Sequence, residues 1–195
     1  MRSHPAFSLA LALALTLALS LGSVARAQPP APAQESAAAR EQARLCERLN
    51  LAAGAEACRA ALALGIGPER RAALRAQLAR HLVALEDWDA LADHLRDQVR
   101  LEPQVAHGWH RLGLTLLFAL HQAKEAVIAL EEAVRLAPAD AEVRVGLAQG
   151  LAAAGRIGES VAAFEAALRL DPTVLDGRPA ARATLEAARA GASWP

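Results

Sequence analysis

Three stretches decide the fold: Leu95–Pro103 (LRDQVRLEP), Leu130–Pro138 (LEEAVRLAP) and Phe164–Pro172 (FEAALRLDP). Each opens on a large apolar residue and closes on Arg-Leu-x-Pro. Their prolines belong to a ladder, Pro68, Pro103, Pro138 and Pro172, with spacings of 35, 35 and 34 residues. Proline has no N–H to donate and its ring clashes with the preceding turn, so each proline is expected to stop a helix and send the chain into a new unit. A period of this length that ends on proline is the signature of a solenoid built from stacked helical units.

The residues between the prolines have helical periodicity. In the last unit Val143, Leu147, Leu151 and Ala154 form an apolar stripe, Gly155 interrupts it, and Val161, Phe164, Leu168 and Leu170 form the next. Each unit therefore reads as two helices joined by a short turn. Neither helix can bury its stripe alone, so units must stack and share a core. Composition agrees. Ala, Leu, Arg and Glu favour helix, tyrosine is absent and phenylalanine occurs three times in 195 residues. The formal net charge is zero, which argues against nucleic-acid binding, since that needs a basic face to neutralise phosphates.

On these residues the chain resembles the tetratricopeptide repeat family. The match is clearest over Ala141–Pro172, through Leu147-Ala148, Leu151, Gly155, Ser160, Phe164, Ala167 and Pro172. The unit before it carries Trp109, Leu112-Gly113, Ala126, Leu130, Ala133 and Pro138, with one extra residue around Ala119–Ala123. The unit Ala72–Pro103 matches through Leu78-Ala79, Leu82, Trp88, Leu95 and Pro103. The resemblance implies an all-α, right-handed α-solenoid of helix hairpins with terminal capping helices. The expected organisation is a degenerate helix pair over 36–68, repeats over 69–103, 104–138 and 139–172, a capping helix over 173–191 and a tail over 192–195. In the first pair, helices are expected over Ser36–Leu51 and Ala55–Leu64, with the turn near Ala52–Gly54.

Residues 1–27 have a slightly basic start, an apolar run from Ala6 to Leu21 and an Ala25-Arg26-Ala27 end, the order of a cleaved secretory signal. An uncleaved membrane anchor is the alternative, since the run is about as long as a spanning helix. Residues 28–35, rich in proline and alanine, read as a linker. Removal of residues 1–27 leaves 19 basic and 21 acidic side chains. The expected location is periplasmic or secreted. In that setting Cys46 and Cys58, the two cysteines, are expected to face each other across the first hairpin and form a disulfide.

No nucleophile constellation, Gly-x-Ser-x-Gly or phosphate-cradling glycine loop occurs, and the expectation is a non-enzyme without cofactor. His107 and His110 share a helix, but a third metal ligand is lacking nearby, so no metal site is assigned. Trp88 and Trp109 read as packing residues, whereas Trp194 has no assigned core role. Family resemblance implies that ligands lie against the concave wall made by the first helix of each unit. Carried over unit by unit, that wall is Gln77, Arg80 and Val83, then His107, His110 and Leu114, then Glu142, Val145 and Gln149. The family's chaperone-binding members hold a terminal carboxylate with Lys and Asn at two of these positions. Here those positions carry Ala76, His110 and Val145, then Arg80, Leu114 and Gln149, so that function is not supported. The expected function is an envelope scaffold binding a protein or peptide, with no nucleic-acid partner and no membrane contact after signal cleavage. Self-association as a homodimer and service as a non-catalytic accessory subunit of an envelope enzyme stay open as alternatives.

Overall fold

A computed structural model of the chain describes residues 35–191. The expected export signal over residues 1–27, residues 28–34 of the expected linker and the tail with Trp194 lie outside the described residues. Those residues form nine helices and no strand: α1 (Ala37–Arg48), α2 (Leu51–Ala63), α3 (Pro68–Ala84), α4 (Trp88–Leu101), α5 (Ala106–Phe118), α6 (Ala123–Leu136), α7 (Ala141–Ala153), α8 (Ile157–Leu170) and α9 (Pro179–Arg189). Side-chain caps start several of them. Ser36 Oγ accepts from the Ala39 amide at 3.0 Å, Asp87 from Ala90 at 3.2 Å, and Asp140 from Glu142 and Val143 at 2.9 and 3.2 Å. Each supplies an acceptor to an orphan N–H of the first turn.

Pro103, Pro138 and Pro172 each stand two residues beyond a helix end, as their inability to continue a helix requires. Pro68 behaves differently from the expectation that it stops a helix. The preceding helix has already ended at Ala63, Gly65 turns the chain at φ 80°, and Pro68 opens α3. A first-turn proline is well placed because its missing N–H would have had no helical partner. The first turn is also displaced, to Leu49–Asn50 instead of Ala52–Gly54. Gly54 lies inside α2, where a Cβ would come within 2.6 Å of the His81 ring and of the Leu49 carbonyl oxygen. This glycine serves close helix approach and makes no turn.

Consecutive helices pack as antiparallel pairs, and pairs stack on one another. The pairs differ at one register position of the crossing. Cys46 and Cys58, twelve residues apart, are joined by a disulfide with a Cα–Cα distance of 4.7 Å, as expected. At the same spacing in α7 and α8, Ser160 Oγ donates to the Ala148 carbonyl at 2.7 Å. With the extra turn residue, the equivalent positions of α5 and α6 are Gly113 and Ala126, and a Cβ on Gly113 would lie 2.5 Å from Leu130 Cγ. In α3 and α4 the equivalent residues are Ala79 and Leu91. A leucine replaces the small partner there, and α3 packs far more closely on α2 than on α4.

Candidate partner-binding site

The loose α3–α4 pair changes the wall formed by the first helices. α1 meets α3, α5 meets α7 and α7 meets α9, but no Cα of α3 lies within 8 Å of one in α5. The gap opens a cleft of about 530 Å³ lined by Val83 of α3, Trp88 and Leu91 of α4, and Arg111, Leu114, Thr115, Phe118 and Ala119 at the end of α5. Val83 is 45% exposed, Leu114 and Trp88 are half-buried, and Leu91 forms a buried floor. Thr115 Oγ1 donates to the Arg111 carbonyl at 2.9 Å, so this hydroxyl proton is already used.

The residues assigned to the wall from sequence divide into three groups. Val83 and Leu114 come together in the cleft, while Arg80 and His107 are exposed beside the same helices. Gln77, His110 and Glu142 are engaged in structure. Gln77 bonds to Arg80 and, at 3.1 Å, to His81, which bridges 3.2 Å to the Cys46 carbonyl. His110 packs on Gly146, whose Cβ would come 2.9 Å from its ring nitrogen. Burial lowers the His110 pKa below the ordinary imidazole value, with Asp140 and Glu142 acting in the opposite direction. Glu142 pairs with Arg178.

Val145 and Gln149 require correction as free wall positions. They are 2% and 8% exposed. Val145 shares a core with Phe164, Val174, Leu175, Ala181 and Leu185. The turn before α9 and α9 itself cover this face of α7, so the wall is closed at its C-terminal end.

Several residues that matter here carry no signal as a motif. Trp109 Nε1 donates to the Pro103 carbonyl at 2.9 Å, and Arg144 donates through Nε and a terminal nitrogen to the Pro138 carbonyl at 3.1 and 2.7 Å. Each stands six residues after its proline and pins the loop between units. The shared spacing is the signal that could have found them. Trp88 and Phe118 stand outside the wall positions carried over from the family, yet both line the cleft, Trp88 beyond the packing role its position implies. Phe118 ends α5, just before the extra residue of that repeat lengthens the turn. Among the described residues no group of three His, Cys, Asp or Glu is placed to hold a metal, and no helix is long and apolar enough to cross a membrane.

Comparison with known proteins agrees with this architecture. Residues 106–140 match the tetratricopeptide repeat family. No curated protein matches the chain. Among solved structures, YrrB, described as a tetratricopeptide repeat protein with an unusual peptide-binding site, is 23% identical, with a TM-score of 0.57 over 78% of this chain and 73% of that one. A MamA RS-1 double mutant is 18% identical, with a TM-score of 0.59 over 80% and 93%. MamA from Desulfovibrio magneticus RS-1, residues 41 to the end, is 20% identical, with a TM-score of 0.56 over 80% and 92%. The chain thus has the fold of tetratricopeptide solenoids, and its α5–α6 unit is a repeat that the family's own pattern matches directly.

Proposed function

We propose that this chain is an exported, non-catalytic scaffold that binds a segment of another protein at the wall of its first helices, in the assembly or quality control of cell-envelope complexes. The observation that carries the reading is the cleft between α3 and α5. There Val83 and Leu114, from consecutive first helices, meet over the Leu91 floor at a break in an otherwise continuous wall. An apolar recess flanked by polar helix surface suits the side chain of a peptide better than a reacting small molecule. The similarity to YrrB, itself described as having a peptide-binding site, supports the same class of ligand. Export is supported by the order of residues 1–27 and by the Cys46–Cys58 bridge, which is stable in an oxidising compartment.

Affinity capture with the protein from its native envelope tests the reading. The variant Arg80→Ala/Leu114→Glu is expected to keep its helicity and lose the protein captured by the parent. Equal capture by the two forms would remove the wall from consideration.

A further inference from the structure

We propose that the α3–α5 cleft recognises an acidic, apolar peptide segment, seating a leucine- or phenylalanine-type side chain among Val83, Leu91 and Leu114 and pairing a neighbouring Asp or Glu carboxylate with Arg111. This rests on the scaffold reading above and adds the chemistry of the partner. The cleft has the volume of a large side chain with its flanking backbone, and its lining is mostly apolar. Arg111 is the exception. Its guanidinium is half-buried at the cleft yet makes no hydrogen bond or ion pair with any described residue. The neighbouring arginines are engaged: Arg75 with Glu102, Arg96 with Asp93 and Glu125, Arg100 with Asp97. A partly desolvated cation without a counter-ion is unfavourable on its own and gains from an incoming carboxylate, which it can grip through two parallel N–H donors. Burial already lowers the Arg111 pKa, and no carboxylate acts against that shift.

The same arrangement selects against basic segments. A Lys or Arg beside the seated side chain would stand against the Arg111 guanidinium and be repelled. A fatty acid has the same pairing of apolar chain and carboxylate, but would be enclosed by its site. This cleft is walled by surface residues, with Val83 45% and Phe118 47% exposed. That geometry fits a segment lying across the gap.

The test uses the full chain and fluorescein-labelled peptides capped at both ends. They share one Leu/Phe pattern and carry Glu, Gln or Lys at the flanking positions. Fluorescence anisotropy is expected to rank Glu over Gln over Lys, with about a tenfold preference for Glu over Lys that shrinks as salt is raised. Arg111→Gln should abolish that ranking with unchanged helicity, Arg111→Lys should restore part of it, and Leu114→Ser should weaken all three peptides together. Equal binding of Glu and Lys peptides overturns the proposal, as does a ranking that survives in Arg111→Gln, or laurate displacing the Glu peptide stoichiometrically. If no peptide binds but envelope capture is still lost in Arg80→Ala/Leu114→Glu, the acidic-segment assignment fails and the scaffold reading stands. If both fail, the scaffold reading falls with it.

Discussion

The α5–α6 and α3–α4 pairs follow one plan and arrive at different packing. α5 and α6 lie close because Gly113 lets Leu130 into the crossing, and the equivalent position of α6 is the small, buried Ala126. α3 and α4 present Ala79 and Leu91 at the matching positions and stay apart. The closed pair supplies the part of the chain that the family pattern matches, residues 106–140. The open pair supplies the cleft. A repeat protein is a row of near-neighbour interfaces, so one bulky residue at a crossing point is felt locally and leaves the remaining units stacked. A docking surface can therefore be placed by loosening one hairpin while its neighbours keep the array together.

Core truncation should expose this contrast most strongly. Leu130 is fully buried between α5, α6 and α7, and Leu130→Ala should cost about 4 kcal/mol, the upper part of the range for a core leucine. Leu91→Ala, on the floor of an existing cleft, should cost about 2 kcal/mol or less, since one side of Leu91 already lacks close packing. Urea unfolding of the two variants measures the difference, and equal losses would show that the α3–α4 pair is as tightly packed as its neighbour. The next effect concerns the terminal pair. Reduction, or Cys46→Ala/Cys58→Ala, should remove about 3 kcal/mol because the bridge closes a loop in the least repeat-like unit. Thermal unfolding with and without reductant reads it. A loss spread evenly over all helices by hydrogen exchange would contradict a local staple.

The smallest effect is that of pH. His110, wedged on Gly146, and His94, between α3 and α4, both have pKa values pushed below 6.5, chiefly by burial. The unfolded chain then binds more protons than the folded one as pH falls through 6.5, and folding is weakened in that direction. Thermal stability should be level above about pH 7 and decline below pH 6.5. The decline should be shallower in His110→Gln, and an unchanged slope in that variant would assign the effect elsewhere.

Much of the architecture was legible in the residues. The proline ladder marks the unit ends, and Gly155, at φ 78°, marks the α7–α8 turn because a left-handed residue is easiest as glycine. The corresponding residues of the two preceding turns are Glu86 and His121, at φ 54° and 55°. They give no comparable signal, because side-chain identity does not compel that conformation. The first turn was misplaced for the related reason that Gly54 looks like a turn residue and is a contact residue. Of the wall positions carried over from the family, Val83 and Leu114 line the α3–α5 cleft. Val145 and Gln149 were misjudged because the cover provided by α9 and the Val174–Leu175 turn comes from a different part of the chain.

The order of apolar, small and proline residues determined that this chain folds as stacked helix pairs, because periodicity and helix termination act over a few neighbouring residues. Which wall positions remain open was decided only in three dimensions. The separation of α3 from α5, the unpaired state of Arg111 among the described residues and the burial of Val145 depend on side chains that meet across helices. Those meetings follow from volumes and distances that no local pattern encodes.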